Sequence, residues 1–305
     1  QKISGATSWY LIGGFSLQPS EFVKITTALL VTTRLSSIQM DFKKGLEVLK
    51  LFLVIVIPII LILLQPDAGS ALVFIALFFV LFREGLDLRI FFLGLALVTV
   101  FILTLLLEPV NLSIALAILF LLAFRLVRKN NSRIKKTPFL LIFTALVFFS
   151  FSVNFIFNNV FEQRHRDRFN IVLGLETDTR GIGYNINQSK IAIGSGGFSG
   201  KGFLNGTQTK GGFVPAQHTD YIFTTIGEEW GFIGSSGLII LFTVLILRIL
   251  YRAEKHTQPF PRIFSYCFAS ILFIHFFVNI GMTLGLLRTV GIPLPYVSYG
   301  WRNVL

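Results

Sequence analysis

Eight apolar stretches, each about as long as a bilayer core is thick, decide what kind of fold this chain can adopt. They cover residues 20–39, 47–64, 69–86, 89–107, 110–127, 138–158, 231–251 and 262–287. A helix needs about 20 apolar residues to cross a bilayer, and 53% of the chain is hydrophobic while only 14% is charged. The sequence therefore predicts an all-α polytopic integral membrane protein with about eight transmembrane segments, forming a single transmembrane domain over residues 1–305.

The distribution of basic residues indicates how these segments are oriented. The formal net charge is +12, but the basic residues form no single stripe, so nucleic acid is not an expected partner. With residue 9 outside, the alternate loops between 34 and 50, 83 and 89, 125 and 136, and 248 and 262 hold 16 of the 27 Lys and Arg residues. The short loops on the opposite side, 65–69 and 108–111, hold none. The positive-inside rule therefore predicts that the large loop 159–230, which lies before the seventh segment, is extracytoplasmic.

A loop of this length between two spans indicates a function, because a few residues could join the spans. Its glycine-rich run, 188–206, does not have the spacing of a phosphate-binding loop, because Lys201 is followed by Gly202 where Ser or Thr is required. The dinucleotide-binding pattern also fails, because Ser199 stands where the third glycine belongs. Two interpretations remain: tight turns packed against the membrane surface, or backbone N–H groups that cradle a pyrophosphate.

The loop ends with His218 and Asp220, which lie two residues apart and lack the ligand spacing of a zinc site. Thr219 or Asp220 could cap a helix that starts near residue 221. Alternatively, the Asp220 carboxylate could act as a general base, which needs only hydrogen-bond reach to a hydroxyl proton. The spacing does not decide between these roles. Cys267 is the only cysteine, so no disulfide can form within the chain, and we expect it to be a packing residue.

Seven motifs, in a fixed order, cover most of the chain. They are Gly5 to Trp9 together with Gln18 to Lys24, Gln65 to Gly69, Gln163 to Arg166, Gly183 to Asn185, Gln188 to Gly206, His218 to Asp220, and Gly285 to Gly300. On these motifs the chain resembles the SEDS family (shape, elongation, division, sporulation), the RodA/FtsW-type polymerases of bacterial peptidoglycan, with the RodA branch most similar. Relative to that family the chain is expected to lack the N-terminal spans and the last span. It also has four predicted spans between Asp67 and Gln163 where the family usually has two.

The resemblance implies a multi-pass enzyme of the bacterial cytoplasmic (inner) membrane. Such an enzyme polymerises lipid II into glycan strands at the outer face and releases undecaprenyl pyrophosphate. Asp220 matches the essential aspartate of the family and is the expected general base. A divalent cation, Mg²⁺ or Mn²⁺, at the pyrophosphate is compatible with this chemistry. The expected partners are lipid II, membrane lipids and a class B penicillin-binding protein that crosslinks the strand.

Ten further residues are expected to bind substrate, although most of them have an alternative role. A solvated loop surface is the alternative for the basic residues of the loop, and an interfacial aromatic position is the alternative for Trp9. The ten residues are Trp9, Lys24, Asp67, Arg164, Arg166, Gln188, Lys190, Lys201, Lys210 and His218.

Helical spacing makes two further predictions about polar residues in the spans. Glu21 and Lys24 are three residues apart and can pair on one helix face. His275 and Asn279 are four apart in the last segment, where polar side chains most often bond neighbouring helices.

Two other function classes remain open from the sequence alone. A lipid-carrier flippase would bind the same pyrophosphate, but it needs a polar route through the membrane and no catalytic base. A non-catalytic scaffold of the cell-wall synthesis complex would need neither a base nor a lipid groove. Few charges lie near the middle of the predicted spans, which argues against a flippase.

Overall fold

A computed structural model describes residues 10–12, 15–37, 42, 44–65, 67–130, 136–159, 182–214, 217–287 and 290–298. A short antiparallel hairpin of β1 (Tyr10–Ile12) and β2 (Phe15–Leu17) precedes the helices, with Tyr10 paired to Leu17. The helices are α1 (Pro19–Leu35), α2 (Gly45–Leu64), α3 (Ala68–Val73), α4 (Ala76–Arg83), α5 (Leu88–Leu106), α6 (Pro109–Asn130), α7 (Lys136–Asn159), α8 (Ile182–Gly196), α9 (Thr207–Lys210), α10 (Ile222–Lys255) and α11 (Pro259–Thr283).

The predicted all-α polytopic class is confirmed. Within the described residues, four helices are long and apolar enough to cross a membrane: Gly45–Leu64, Leu140–Asn159, Ile222–Lys255 and Pro259–Thr283. Three shorter apolar helical stretches, Gly69–Arg83, Phe92–Leu106 and Pro109–Leu122, coincide with other predicted spans. The predicted span 69–86 is divided into α3 and α4, and the β1–β2 hairpin was not predicted.

The chain forms two compact units, of which the second covers residues 87–177. This unit contains α5, α6 and α7, and its core is built from Val100, Leu112 and Leu116. The Thr104 hydroxyl donates a hydrogen bond of 3.0 Å to the Ser150 hydroxyl, which joins α5 to α7 where both groups are buried. Small hydroxyl side chains suit such a contact because they allow close approach of helices in lipid.

The first unit, residues 1–86 and 178–305, contains the remaining elements. A cluster of charged residues joins three of its helices at one end: Arg83 pairs with Glu84 and Glu254, each at 2.7 Å, and Arg262 pairs with Glu84 at 3.2 Å. All four residues belong to loops, or to the helix ends beside them, that the charge pattern predicts to be cytoplasmic. Their proximity agrees with the prediction that these loops lie on the same side of the membrane.

The helix α10 is broken at Gly231, whose φ of 62° and ψ of −156° are non-helical. Such a break leaves backbone groups without helical partners. The glycine-rich loop 197–202 satisfies them through four backbone hydrogen bonds. These are Phe232 N to Gly197 O (3.0 Å), Ile233 N to Phe198 O (3.2 Å), Lys201 N to Glu228 O (3.1 Å) and Gly202 N to Glu229 O (2.9 Å).

The glycines of this run permit close contact between the loop and α10. A Cβ atom on Gly196 would lie 2.1 Å from the carbonyl oxygen of Gly227, and one on Gly231 would lie 2.3 Å from the Gly200 nitrogen. No side chain fits at such distances. The geometry favours the interpretation as tight backbone packing over a pyrophosphate cradle, because the N–H groups of Lys201 and Gly202 already donate to protein carbonyls.

Candidate active site

Asp220 lies in the turn that precedes α10, and its carboxyl group has no hydrogen-bond partner among the residues that the structure describes. The N-cap of α10 is Tyr221, and no side chain caps this helix end. The capping role that the sequence left open for Asp220 is therefore wrong. Burial, and to a smaller extent the negative charge of Asp67, raises the pKa of the Asp220 carboxyl to about 6.

The last helix and the segment after it fix the backbone around Asp220. The Asn279 side-chain amide donates to the carbonyl oxygens of Asp220 (2.8 Å) and Ile292 (2.7 Å). The Ser298 hydroxyl donates to the Thr219 carbonyl oxygen at 2.7 Å. Asn279 thus bonds neighbouring elements, as the sequence predicted, and it holds the 291–294 segment against the turn that carries Asp220.

Asp67 has a structural function at the start of α3. Its carboxylate caps this helix by accepting a hydrogen bond from the Ser70 backbone N–H at 3.0 Å. It also accepts hydrogen bonds from the Ser70 hydroxyl and the Gln18 side-chain amide, both at 2.8 Å. The side chain is therefore held by three protein donors. Its role in substrate binding stays a prediction.

Lys24 is almost completely buried, with 4% of its side chain exposed, and forms the predicted ion pair with Glu21 at 2.6 Å. Its ammonium group also lies 3.0 Å from Nε2 of His275 on α11. The other ring nitrogen of His275, Nδ1, lies 3.2 Å from the carbonyl oxygen of Pro293. His275 thus connects three elements, which confirms the prediction that it bonds neighbouring helices.

A small cavity lies between α1, α3, α11 and the segment 291–293. Lys24 and His275 contribute to its walls. Gly291 also lines the cavity, and Oδ2 of Asp220 lies 3.5 Å from the position of a Cβ atom on this glycine. The Asp220 carboxylate and a buried ammonium group are thus brought near the same cavity. The full lining is Gln18, Glu21, Lys24, Gly69, Ser70, Val73, His275, Gly291, Ile292 and Pro293.

The other predicted substrate-binding residues have varied surroundings. Lys190 and Lys210 are exposed and form no hydrogen bond or ion pair with any described residue. The Lys190 side chain lies over Gly285, with its Nζ atom 2.6 Å from the position of a Cβ atom there. His218 is exposed, with its Nε2 atom 3.2 Å from the Gln217 side-chain nitrogen, and Gln188 is half-buried on α8. Trp9, Arg164 and Arg166 lie outside the described residues.

Lys201 belongs to a second polar cluster, around the fully buried Glu228, that was not predicted from the sequence. Its ammonium group pairs with Oε1 of Glu228 at 2.9 Å. The backbone N–H groups of Gln208 and Thr209 also donate to this carboxylate, each at 2.9 Å. The cluster ties α9 and the glycine-rich loop to α10. The signal for it was the pair Glu228 and Glu229 at the edge of an apolar segment, where ionisable groups need partners.

A metal site made entirely of protein ligands is absent from the part of the chain that the structure describes. No group of three or more His, Cys, Asp or Glu side chains there could hold a metal ion.

The Cys267 thiol is buried, and its Sγ atom lies 3.8 Å from the Thr32 hydroxyl, as expected for a packing residue.

The apolar helices and the buried polar site between them define a multi-pass membrane protein. The chain belongs to the FtsW/RodA/SpoVE family of cell cycle proteins, whose model matches residues 1–116 and 95–302. It is 35% identical over 300 residues to the peptidoglycan glycosyltransferase MrdB of Escherichia coli (strain K12), covering 97% of this chain and 66% of that protein. It is 33% identical over 333 residues to the peptidoglycan glycosyltransferase RodA of Treponema pallidum (strain Nichols), covering 99% of this chain and 74% of that protein.

Solved structures show the same fold. One, described as a peptidoglycan synthase complex that coordinates polymerization and crosslinking, contains a chain that matches with a TM-score of 0.65 and 26% identity, covering 100% of this chain and 70% of that one. The rod shape determining protein RodA of Thermus thermophilus matches with a TM-score of 0.52 and 24% identity, covering 100% and 66%. The chain thus spans about two thirds of the length of several of these proteins.

Proposed function

We propose that this chain is a peptidoglycan glycosyltransferase that polymerises lipid II at the outer face of the bacterial cytoplasmic membrane. The observation that carries the proposal is Asp220. Its carboxyl group is free of hydrogen bonds from the described residues and has a pKa raised to about 6, beside the cavity lined by Lys24. A carboxylate with a pKa near the working pH is suited to general base catalysis.

Asp220 would accept the proton of the GlcNAc 4-hydroxyl of one lipid II molecule as that oxygen attacks the anomeric carbon of the lipid-linked strand. The bond from this carbon to the pyrophosphate breaks, so a single displacement inverts the anomeric centre and undecaprenyl pyrophosphate departs. Negative charge grows on the leaving group, and a fixed cation stabilises it most when water is excluded. Lys24, which is buried and already positioned, is suited to this role.

The relatives support the activity and its setting. MrdB and RodA are both named peptidoglycan glycosyltransferases, and one structural relative comes from a complex that couples polymerization to crosslinking. We therefore include two finer expectations in the proposal: a class B penicillin-binding protein as partner, and the cytoplasmic membrane as location. A Mg²⁺ or Mn²⁺ ion at the substrate pyrophosphate is a third expectation, which rests only on the negative charge of that group. The loop 159–230 would face outwards, where lipid II is presented.

Purified full-length protein and labelled lipid II test the proposal directly. We expect glycan strands in detergent without ATP, because the pyrophosphate linkage supplies the driving force. A flippase would instead move labelled lipid II across the bilayer of a proteoliposome without forming strands. A scaffold would do neither, and would only change the rate of an added polymerase. Either of the last two results would exclude the proposed activity.

The pH dependence of the reaction follows from the raised pKa of Asp220. The base must be ionised, so kcat/KM should fall about tenfold per pH unit below about pH 6 and level off above it.

Asp67→Asn tests the cause of the raised pKa. It should keep the α3 cap, since Asn and Asp cap about equally well. Because it removes the smaller cause of the raised pKa, it should move the midpoint to lower pH without restoring the ordinary value. A profile that stays flat from about pH 5 to 8 would contradict Asp220 as the base.

A further inference from the structure

His275 is a buried side chain whose two ring nitrogens contact different elements. It is 1% exposed, with Nε2 at 3.0 Å from the Lys24 ammonium and Nδ1 at 3.2 Å from the Pro293 carbonyl oxygen. A lysine ammonium only donates, so Nε2 accepts from Lys24. Nδ1 then carries the ring proton and donates it to Pro293. These two contacts fix the tautomer and the orientation of the ring.

The Lys24 ammonium is held from two directions. Glu21, on the same helix, contacts it at 2.6 Å. His275, which lies on α11 and is 251 residues later in the sequence, contacts it at 3.0 Å. A lysine side chain has many rotamers, and each contact that restricts them reduces the entropy lost when the ammonium meets a ligand. The Pro293 contact ties the same imidazole to the segment 291–293, whose Gly291 lies beside the Asp220 carboxylate.

We infer that His275 is a positioning residue that holds the Lys24 ammonium at the cavity beside Asp220, where it meets the pyrophosphate of the substrate. This inference rests on the proposed function. His275 acts through Lys24: its acceptor nitrogen is occupied by the ammonium and its donor nitrogen by a backbone carbonyl. The important atom is therefore Nε2, the acceptor for Lys24, and the bond from Nδ1 to Pro293 only orients the ring.

Two substitutions separate the two nitrogens. His275→Gln places an amide oxygen near the position of Nε2 and keeps an acceptor for Lys24, but it loses the donor to Pro293. His275→Asn places an amide nitrogen near the position of Nδ1 and keeps the donor to Pro293, but it loses the acceptor. Each variant therefore lacks one hydrogen bond. The bond from the Lys24 ammonium is charge-assisted and is the stronger of the two, so we expect the Asn variant to have the lower thermal stability.

We expect His275→Asn to lower kcat/KM for lipid II by about 10- to 100-fold, the scale of a misplaced group in an active site, and His275→Gln to stay within about threefold of wild type. Binding of undecaprenyl pyrophosphate, measured on the same purified proteins, should be weakened in the Asn variant and kept in the Gln variant. A merely structural role would lower the activity of each variant only in proportion to its loss of stability, and would leave the affinity of the folded protein for undecaprenyl pyrophosphate unchanged. Equal activities and equal affinities would overturn the inference, as would better function in the Asn variant.

The binding measurement separates this inference from the proposed function. If wild-type protein forms no glycan strands, the proposed function fails, yet the affinities for undecaprenyl pyrophosphate still rank the two variants. If wild-type protein forms strands and the Asn variant forms them as fast as the Gln variant, only the inference about His275 fails.

Discussion

Asp220→Asn should abolish most of the polymerase activity while leaving the protein folded. The substitution keeps the shape of the side chain and removes the group that accepts the hydroxyl proton. Loss of a general base costs about 100-fold or more in rate, so we expect strand formation from lipid II to fall at least to that extent. The measurement is the initial rate of polymerisation by purified protein, compared with wild type at a pH well above 6.

The same variant should lose activity but gain stability at neutral pH. Keeping the pKa of a carboxyl group near 6 rather than near 4 costs the folded state roughly 3 kcal/mol when the group is ionised. Below about pH 4 the group is protonated in both the folded and unfolded states, and the cost disappears. Above about pH 6 the buried Asp220 carboxyl is ionised, so the free energy of unfolding of the wild-type protein is lowered by this full amount. The Asn variant has no carboxyl group at this position and is not destabilised in this way. The variant should therefore be more stable than wild type above about pH 6 and no more stable below about pH 4.

Two outcomes would contradict the assignment of Asp220. An Asn variant that polymerises lipid II at close to the wild-type rate would exclude Asp220 as the base. A variant that loses activity together with its thermal stability would show that the carboxyl group supports the fold instead. Asp67→Asn is the matched control, because it neutralises a nearby carboxylate that is held by three protein donors. We expect its activity above about pH 6 to fall far less.

Local periodicity predicted much of the fold. The ion pair between Glu21 and Lys24 followed from their spacing on one helix turn, and the structure confirms it at 2.6 Å. The bonding of His275 and Asn279 to neighbouring elements followed from their position on one face of an apolar segment. These predictions hold because the spacing of residues on a helix is fixed by its geometry, whatever the rest of the chain does.

The features that the sequence did not predict depend on contacts between distant residues. The break in α10 at Gly231 needs the loop 197–202 to satisfy the freed backbone groups. Asp67 has the residue type of an N-cap, but its three donors include Gln18, 49 residues away. The capping role left open for Asp220 was inferred from neighbouring residues alone, and it is wrong. The helix α10 begins at Ile222, and the Asp220 backbone is instead held by Asn279, 59 residues away.

The family resemblance placed Asp220, Asp67 and Lys24 among the expected site residues, but spacing alone could not show that Asp67 lies near Asp220 or that Lys24 lines the adjacent cavity. Their positions in the sequence differ by tens to hundreds of residues, and no short-range pattern measures that separation. The charge pattern contributed one constraint, because it placed the loop containing Asp67 and the loop containing Asp220 on the same side of the membrane. The structure agrees: Asp67 is close enough to raise the pKa of Asp220.

Glu228→Gln should release the loop that carries α9. The Glu228 carboxylate is fully buried and pairs with Lys201 at 2.9 Å, and it accepts backbone hydrogen bonds from Gln208 and Thr209, each at 2.9 Å. Removing one charge from a buried pair costs about 3 to 5 kcal/mol. Lys201 is partly exposed and can regain water, so we expect a value near the lower limit, which corresponds to an open loop populated about 100-fold more often.

Cleavage by trypsin after Lys210 measures this opening, because the protease needs an extended chain. In the folded protein, hydrogen bonds from Gln208 and Thr209 to Glu228 hold α9 in its helical turn. We expect the Gln variant to be cut about 100-fold faster than wild type. Glu229→Gln is the matched control: Glu229 is the next residue and is also buried, but it forms no side-chain hydrogen bond or ion pair with the described residues. Neutralising it should leave the cleavage rate unchanged, because no side-chain bond to the loop is lost. Equal acceleration in both variants would mean that the loop responds to charge at this helix end in general and not to the bonds that Glu228 makes.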